Sequence, residues 1–325
     1  MTTPAQTSHR QKPLSTKDLV SAATLTASDL SMILDTALAF KADPAAYRGV
    51  LDGRSVAMLF EKPSLRTRVT FEVGTARLGG HPLYYDHGFE RIGQRESVKD
   101  YARNLERWVH AIVLRTYSQR TIEEMAAVAR VPVINALSDT DHPCQALADA
   151  LTLVERFGRV EGLNVCYIGD GNNVCVSLMH VLCKLGGHVR VITPKGFAPP
   201  ADAVAETHEF ARLSGGSLTL TNDPAAVAGA DAVYTDTWVS MHQEDQSDAR
   251  EKLFVPYRVD AELMARAAGH AVFMHCLPAH RGEEVTDEVI DSPASVVYDQ
   301  AENRLHAQNA VLIHTAGARP ARLAR

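Results

Sequence analysis

The sequence predicts an α/β fold: two doubly wound parallel-sheet (α/β/α) domains linked by long helices, with the active site in the cleft between them. Apolar segments of strand length alternate along the chain with segments of helical periodicity, and this order gives parallel sheets covered on both faces. The 325 residues suit two domains of ordinary size. A hydrophobic content of 46% and a charged content of 22% are typical of a globular protein.

The first half of the chain is predicted to hold four strands. Thr26 and Asp29 have the spacing of a capping box, which predicts the start of an N-terminal helix. Strand and helix signals then alternate until a long helix begins at His142-Pro143. The predicted strands are 55–60, 82–85, 111–114 and 131–135, and the predicted helices between them are 66–78, 97–109 and 121–129.

The second half is predicted to hold five more strands, at 164–168, 188–192, 218–221, 232–235 and 271–275. We place the domain boundary within the long helix, which gives residues 1–146 and 147–301. Residues 1 to about 15 are polar, so we expect a disordered extension and not a signal peptide. No apolar run approaches the length of a membrane span.

Charge and cysteine content argue against several classes of function. The formal net charge of -6 gives no long-range attraction to nucleic acid or to an anionic membrane, so an anionic ligand must be held by local clusters of cations. The five cysteines include no Cys-x-x-Cys pair, which argues against a disulfide framework and against a structural zinc site. We therefore expect a cytoplasmic protein.

A phosphate-binding pattern lies at Ser64-Leu65-Arg66-Thr67-Arg68, between strand 55–60 and the helix that follows. The first N–H groups of a helix are unpaired and carry partial positive charge. Two hydroxyl and two guanidinium groups at that point form a phosphate cradle without a Walker lysine. For this motif alone, a solvated helix start is an equally good interpretation.

Other polar side chains follow the ends of predicted strands, where ligands bind in such sheets. Arg115 ends one strand, although a lone arginine there is more often a surface charge. His142 and Gln145 open the long helix and can donate hydrogen bonds to a carbonyl or phosphate oxygen, although an ordinary cap is the simpler alternative. Asp236 suits a cationic amine and Ser240 a carboxylate, and a capping aspartate explains this segment equally well.

Cys276 ends the last predicted strand, in the segment His275-Cys276-Leu277-Pro278. A cysteine on a buried strand is packing by default, and that is what we expect of Cys144. Two basic residues, His280 and Arg281, follow Cys276 in a tight loop. A functional thiol is therefore the better interpretation of Cys276, and it need not be a covalent nucleophile.

The turn Gly169-Asp170-Gly171 follows a strand and precedes a helix, as in dinucleotide-binding sites. Val174 replaces the third glycine of that pattern, and no acidic residue ends the next predicted strand. A bound nucleotide is therefore not expected. Asn173, where this helix begins, is predicted to hold a small zwitterion instead.

Together these motifs resemble those of the ornithine carbamoyltransferases. They occur in the order of that family, from about Lys17 to about His314. Each motif alone is weakly diagnostic, whereas six in order are specific. The matching segments are Ser64-Leu65-Arg66-Thr67-Arg68, Arg115-Thr116, His142-Pro143-Cys144-Gln145, Asp236 with Ser240-Met241, His275-Cys276-Leu277-Pro278 and Glu302-Asn303-Arg304.

The resemblance implies an N-terminal carbamoyl-phosphate domain and a C-terminal ornithine domain. It also implies a last helix, opened by Glu302-Asn303-Arg304 and placed at 302–325, that packs back onto the first domain, and a homotrimer with active sites near subunit contacts. The residues that match the carbamoyl phosphate site are Ser64, Leu65, Arg66, Thr67, Arg115, His142, Gln145, Cys276, Leu277 and Arg304, and those that match the ornithine site are Asn173, Asp236, Ser240 and Met241.

The implied reaction transfers a carbamoyl group from carbamoyl phosphate to the side-chain amine of L-ornithine, giving L-citrulline and phosphate, as in arginine biosynthesis. Arg115, His142 and Thr67 are expected to polarise the carbonyl as it gains negative charge. We interpret Cys276 as a partner that orients the amine or accepts its proton. Cys276, Arg115 and His142 form the implied catalytic group, and neither a metal ion nor an organic cofactor is required.

Three positions depart from the family pattern. Leu65 stands where threonine is usual, but its backbone N–H can serve as well. Arg91 stands where glutamine is common, and no role is carried over to it. His242 replaces the glycine after Ser-Met, which adds bulk and removes backbone freedom where a loop closes over the amino acid. Transfer to another amine, such as putrescine or an acylated ornithine, is therefore the alternative function.

Competing functions are less well supported. Aspartate carbamoyltransferases are expected to have His-Pro-Leu-Pro at the segment around Cys276 and a basic residue at the position of Asp236. A nucleotide-dependent dehydrogenase rests only on the turn at Gly169. A non-catalytic sensor of phosphate ligands is the third alternative.

Overall fold

The computed structural model describes residues 12–239 and 247–318, without the side chains of residues 247–249. The described chain forms two parallel β-sheets with helices between successive strands. The predicted fold class is confirmed. Within these residues, no helix has both the length and the apolar character needed to cross a membrane.

The first sheet has four strands in the order β2-β1-β3-β4, all parallel. A capping box at Thr26 and Asp29 opens the first helix, as predicted. The strands are β1 (Ser55–Phe60), β2 (His81–Asp86), β3 (Ala111–Arg115) and β4 (Val133–Leu137), and the helices are α1 (Ala27–Ala42), α2 (Leu65–Arg77), α3 (Val98–Leu105) and α4 (Gln119–Val128).

The second sheet has five parallel strands in the order β7-β6-β5-β8-β9. Its strands are β5 (Asn164–Ile168), β6 (His188–Ile192), β7 (Ser217–Thr221), β8 (Ala232–Thr235) and β9 (Val272–His275). The remaining helices are α5 (Pro143–Phe157), α6 (Asn173–Lys184), α7 (Ala201–Ser214), α8 (Ser247–Phe254), α9 (Ala261–Met264), α10 (Asp287–Ile290) and α11 (Val297–Leu312), which a π-helical turn, Ile313–Gly317, continues.

Strand β1 illustrates why its apolar run forms a strand. Val56, Met58 and Phe60 belong to one apolar cluster, while Ala57 and Leu59 belong to another. Alternate side chains of a strand point to opposite faces, so the sheet is buried on both sides. A continuous apolar run is the sequence expected of such a strand.

Several elements differ from their predicted bounds, and two of these differences have a clear local reason. Strand β4 begins at Val133 and not at residue 131, because Pro132 has no N–H to contribute to the ladder. Helix α3 ends at Leu105 and not at residue 109. After Leu105 the chain forms a tighter turn, in which Arg107 N donates to Asn104 O, three residues earlier, at 3.2 Å.

The expectation that Glu302-Asn303-Arg304 opens the last helix is wrong. Helix α11 begins at Val297, after a turn that contains Pro293, so Arg304 lies in its middle. Helix α11 packs on α1, α2 and α5. This position buries Arg304 and directs it towards the first sheet's helices.

The segment 18–25 is bonded to both halves of the chain. Leu19 N donates to Val133 O at 2.9 Å, and Asn135 N donates to Leu19 O at 2.7 Å, beside strand β4. Lys184, at the end of α6, donates to the carbonyl oxygens of three residues of this segment. Those residues are Ala22, Ala23 and Leu25, at 3.0, 2.6 and 2.7 Å.

Candidate active site between the two sheets

A cleft of about 550 Å³ lies where the carboxyl ends of both sheets face each other. Twelve of the fourteen predicted site residues line it, and the other two, Ser240 and Met241, lie outside the described residues. The lining residues that were predicted are Ser64, Leu65, Arg66, Thr67, Arg115, His142, Gln145, Asn173, Asp236, Cys276, Leu277 and Arg304.

The start of helix α2 forms one wall. Ser64 is its N-cap, and the hydroxyl oxygen accepts a hydrogen bond from Thr67 N at 3.3 Å. The side chain of Leu65 is 76% exposed, so its backbone N–H is its polar contribution. Arg68 differs from the expectation, because its guanidinium lies 3.8 Å from the ring centroid of Tyr84, outside the residues that line the cleft. Arg66 is therefore the guanidinium that α2 supplies.

Three guanidinium groups, those of Arg66, Arg115 and Arg304, converge on the cleft. Burial lowers the pKa of Arg115 to about 9, and the nearby charges of Arg304 and Arg66 contribute to the shift. Arg115 Nε and Arg304 Nε are buried and have no hydrogen-bond partner among the described residues. Like charges gathered in a buried site favour an anion that neutralises them.

His142 stands at the N-cap of helix α5, and its backbone N donates to Ser177 Oγ at 2.6 Å. Burial, followed by the charges of Arg304 and Arg115, holds the pKa of His142 well below its usual value. The imidazole is therefore neutral at pH 7, with one N–H to donate. Its Nδ1 has no hydrogen-bond partner in the described chain.

Gln145 connects the arginine cluster to a buried carboxylate. Arg304 Nη1 donates to Gln145 Oε1 at 2.7 Å, and Arg304 Nη2 donates to Thr67 Oγ1 at 3.1 Å. The Gln145 amide nitrogen donates to Asp149 Oδ1 at 2.8 Å. We expected Gln145 to act as a donor in the cleft, but here its nitrogen faces away from the cleft and its oxygen faces the cations.

The opposite wall carries Cys276 and Asp236. Cys276 Sγ donates to Asp236 Oδ1 at 2.9 Å, and Asn172 Nδ2 donates to Asp236 Oδ2 at 2.8 Å. Burial, and then the charge of Asp236, raise the pKa of Cys276 well above its usual value. A thiol that stays protonated can donate and orient, whereas it is poorly suited to accept a proton.

Asn173 reaches the cleft at the first turn of helix α6. Its Nδ2 donates to Ser138 O at 2.7 Å, and its Oδ1 accepts from Val174 N at 3.0 Å. Ser138 belongs to the loop that leads to His142. Asn173 therefore ties the entrance of α6 to the first half of the chain.

The loop after Cys276 holds an unusual backbone conformation. Leu277 has a φ of 58° and is followed by a cis peptide bond to Pro278. A left-handed leucine is strained, and such residues persist where surrounding bonds fix them. Leu277 N donates to His275 Nδ1 at 2.8 Å, and the buried pair of His275 Nε2 and Glu284 Oε1, 3.2 Å apart, fixes that ring.

The glycine turn at Gly169 serves packing and not a nucleotide. A Cβ on Gly171 would lie 2.3 Å from Pro199 N and 2.6 Å from Phe197 O. Gly171 N donates to Phe197 O at 2.8 Å, so the two backbones are in direct contact. The space that a pyrophosphate would need here is filled by the segment 197–199.

Among the residues that the structure describes, two groups of side chains have metal-ligand atoms within 4.8 Å of one another: Asp236, His275 and Cys276, and His280, Glu283 and Glu284. In the first group both ring nitrogens of His275 are already hydrogen-bonded, and the thiol donates to Asp236. The hydrogen-bonding groups that line the cleft do not require a metal ion at either group.

Sequence reasoning missed several residues of the site. Lys62 and Asn172 line the cleft, and Asn172 is the N-cap that precedes Asn173. An N-cap preference could have identified Asn172. Asp149 lies four residues after Gln145, a spacing that places both on one helix face. Gln300, which donates to Asp149 Oδ1 at 2.7 Å, had no sequence signal linking it to either residue.

Arg91 lies outside the cleft of this chain. Its guanidinium lies 4.4 Å from the ring centroid of Tyr117, and it is absent from the residues that line the cleft. Nearby, Phe89 is fully exposed and Trp108 is 65% exposed. These two side chains and Arg91 mark the surface beside β2 and α3.

Comparisons with known proteins agree with this geometry. Residues 17–155 match the family model described as aspartate/ornithine carbamoyltransferase, carbamoyl-P binding domain. Residues 161–315 match the model described as aspartate/ornithine carbamoyltransferase, Asp/Orn binding domain.

Individual relatives cover almost the whole chain. Ornithine carbamoyltransferase of Shewanella oneidensis is 52% identical over 297 residues, 91% of this chain and 98% of its own. The relative from Pyrococcus furiosus named ornithine carbamoyltransferase, anabolic, is 50% identical over 302 residues, 92% of this chain and 96% of its own. A solved structure of the Pyrococcus furiosus ornithine carbamoyltransferase has a TM-score of 0.89 at 50% identity, covering 92% of this chain and 97% of that one.

Proposed function

The chain belongs to the aspartate/ornithine carbamoyltransferase family, and from this premise we propose how its cleft carries out the reaction. The protein catalyses transfer of the carbamoyl group from carbamoyl phosphate to L-ornithine, giving L-citrulline and phosphate. The alternative acceptors, putrescine and acylated ornithine, are not favoured by these relatives. The residue roles that follow are our proposal.

The cluster of three guanidinium groups is the observation that carries the proposal. Carbamoyl phosphate is anionic, and Arg66 and Arg115 can hold its phosphate oxygens through paired N–H groups. The remaining donors are the hydroxyl groups of Ser64 and Thr67 and the backbone N–H groups at the start of α2, including that of Leu65. Burial, and then repulsion by Arg304 and Arg66, lower the pKa of Arg115, and a bound phosphate offsets both effects.

The carbamoyl carbonyl is placed among donors that do not have to reorganise. The neutral His142 offers one N–H, and Arg115 and Thr67 lie on the same side of the cleft. As the amine attacks, negative charge develops on the carbonyl oxygen. Each preorganised donor aimed at that oxygen typically lowers the barrier by about 3 kcal/mol. Leu277, next to Cys276, lines the same pocket.

Ornithine occupies the side of the cleft formed by the second sheet. Asp236 is proposed to hold the α-ammonium group, Asn173 the α-carboxylate, and Ser240 with Met241 to complete the site. This leaves the side-chain amine near Cys276, whose protonated thiol orients it. Asn173 must exchange its bond to Ser138 O for the ligand.

The reaction requires a neutral amine. Its nitrogen forms a bond to the carbamoyl carbon, the bond from that carbon to the phosphate oxygen breaks, and phosphate leaves with the electron pair. The attacking nitrogen then loses one proton, for which the departing phosphate is an adjacent acceptor. Much of the rate arises from holding two small substrates in contact within one cleft.

Domain division and assembly are also proposed. We place the carbamoyl-phosphate domain at residues 1–146, with the last helix packed on it, and the ornithine domain at 147–301. The contacts of α11 with α1 and α2 support this division.

A homotrimer is supported by the exposed side chains of Phe89 and Trp108, which a neighbouring subunit would cover. A role in arginine biosynthesis is supported by the relative named anabolic, and a cytoplasmic location by the absence of disulfides among the described cysteines.

Acceptor specificity tests the function directly. Phosphate release from carbamoyl phosphate is measured with L-ornithine, N-acetylornithine, putrescine, lysine or aspartate, and the product is identified by mass. We expect citrulline formation with a strong preference for ornithine. Preference for another amine would leave the phosphate site intact and place the error in the loop that carries Ser240 and His242.

A further inference from the structure

A buried carboxylate that takes no direct part in the proposed chemistry lies behind the cleft. Asp149 is fully buried on helix α5, one turn after Gln145. Its Oδ1 accepts two hydrogen bonds, from Gln145 Nε2 at 2.8 Å and from Gln300 Nε2 at 2.7 Å. Both glutamines are themselves buried.

Oδ1 of Asp149 accepts both bonds, and it stays an acceptor whether the carboxyl group is ionised or carries its proton on Oδ2. Both glutamine amides must therefore turn their nitrogens towards Asp149 and their oxygens away from it. The reversed orientation would set amide oxygens against a carboxylate oxygen. It would also set the NH₂ group of Gln145 against Arg304 Nη1, which now donates to Gln145 Oε1 at 2.7 Å.

The two oriented amides reach different parts of the site. Gln145 presents its carbonyl oxygen to Arg304 and to the cleft. Gln300 Oε1 accepts from His275 N at 2.9 Å, which fixes the end of strand β9 immediately before Cys276. One carboxylate thus sets the direction of hydrogen bonding at the phosphate side and at the thiol side of the cleft.

We propose that Asp149 is a positioning residue that makes the cleft selective for a carbamoyl group, by fixing Gln145 with its oxygen available to the carbamoyl NH₂. This inference rests on the proposed function. An acceptor in this place pairs with the NH₂ of carbamoyl phosphate. It has no partner in acetyl phosphate, which has a methyl group there and the same phosphate.

Selectivity between these two compounds is the readout. Gln145 Oε1 keeps its bond from Arg304 with either ligand, so acetyl phosphate forgoes one further hydrogen bond to this oxygen, which typically gives discrimination on the order of 10- to 100-fold. We expect the wild-type dissociation constant for carbamoyl phosphate, measured by calorimetry without ornithine, to be lower than that for acetyl phosphate by about this factor. Inorganic phosphate, bound by the groups at the start of α2, serves as the control ligand.

Two substitutions of Asp149 separate positioning from packing. Asp149→Leu keeps the volume but removes the acceptor, so we expect the preference for carbamoyl phosphate to fall at least about tenfold, with phosphate affinity unchanged. Asp149→Asn keeps one oxygen, and both glutamine bonds end on a single oxygen, so this variant should retain the preference. An Asp149→Leu protein that keeps the preference, or that loses affinity for all three ligands equally, would overturn the proposal.

A polar exchange keeps the test decisive if Asp149→Leu does not fold. The double variant Gln145→Glu/Gln300→Glu sets three carboxyl groups against one another at this position. Adding Asp149→Asn places an NH₂ group where Oδ1 now lies, so that it can donate to both new glutamates and hold an acceptor in the cleft. The triple variant should recover at least about tenfold of the preference lost in the double variant. Absence of recovery would refute the role of Asp149, while citrulline formation by the wild type reports separately on the proposed function.

Discussion

At the scale of single residues, the site depends on where charged groups point and not only on their presence in a motif. Arg66 and Arg68 are two positions apart in the same helix. Arg66 lines the cleft, whereas Arg68 lies over Tyr84 and donates to Glu72 Oε1 at 3.1 Å. Sequence spacing could not separate these roles, because both arginines fit the pattern of a phosphate cradle.

Substitution of these two arginines gives a matched comparison. Arg66→Ala should lower kcat/KM for carbamoyl phosphate by about 100- to 1000-fold, since a paired guanidinium–phosphate contact is worth about 3–4 kcal/mol. Arg68→Ala should change it less than about threefold, because an exposed ion pair contributes little. Steady-state kinetics measure kcat/KM for both variants, and the midpoint of unfolding shows whether each variant is folded. Equal losses in both variants would contradict the proposed phosphate site.

Asp149 predicts a measurable pH dependence of stability. Burial raises the pKa of Asp149 from its ordinary value of 3.8 to about 7. The native state therefore keeps the proton that the unfolded state releases between about pH 4 and 7, and this group's contribution to stability falls as pH rises through that window. The full loss above pH 7 is up to about 4 kcal/mol.

Comparison with Asp149→Asn isolates this contribution. Urea unfolding is measured for both proteins at pH 5 and pH 8. The wild type should lose more stability between the two values than the variant, since all other titrating groups are shared. Identical pH dependence in the two proteins would show that Asp149 is not protonated in the native state near neutral pH.

At the scale of elements, strands were easier to predict than the placement of α11. Four strands, β1, β5, β6 and β8, match their predicted bounds. In β1, β5 and β8 the apolar run is buried on both faces, whereas β6 alternates buried valines with the half-buried His188 and Arg190. For α11, the motif around Arg304 suggested a helix start, while the true start is set by the turn at Pro293. A residue that reaches across the molecule, such as Gln300 towards Asp149, leaves no local pattern in a sequence.

The turn before α6 should be intolerant of any side chain. Gly171→Ala places a Cβ 2.3 Å from Pro199 N, a backbone atom that cannot yield without moving its segment. We expect a loss of about 2 kcal/mol or more in unfolding free energy and a higher KM for ornithine, because Asn172 and Asn173 follow directly. Gly269→Ala is the control, since nothing lies within 4 Å of its added Cβ. Similar stability of the two variants would argue against this close approach.

At the scale of the whole molecule, the segment 18–25 couples the two halves. Lys184 donates to three of its carbonyl groups, and burial lowers the pKa of Lys184 to about 8. Asp141, just before His142, accepts from Ala22 N at 3.0 Å and from the hydroxyl groups of Ser21 and Ser177. A rotation of one half of the molecule against the other would have to move this segment or break its hydrogen bonds to one of the halves.

Removal of the lysine amine should weaken that coupling. Lys184→Met keeps an unbranched side chain of similar length and leaves three carbonyl groups without their donor, which is expected to cost about 3 kcal/mol or more in unfolding free energy. Lys195→Met, at an exposed position, should change stability by less than about 0.5 kcal/mol. The free energy of unfolding of both variants is measured by chemical denaturation. If Lys184→Met is as stable as Lys195→Met, the proposed coupling is wrong.

The convergence of Arg66, Arg115 and Arg304 also determines how the protein behaves between turnovers. Mutually repelling cations are least stable when nothing lies between them, so we expect inorganic anions from the surroundings to bind at this cluster. Carbamoyl phosphate would then enter by displacing such an ion. The apparent affinity of the cleft for carbamoyl phosphate should therefore depend on the anions in the buffer as well as on the protein.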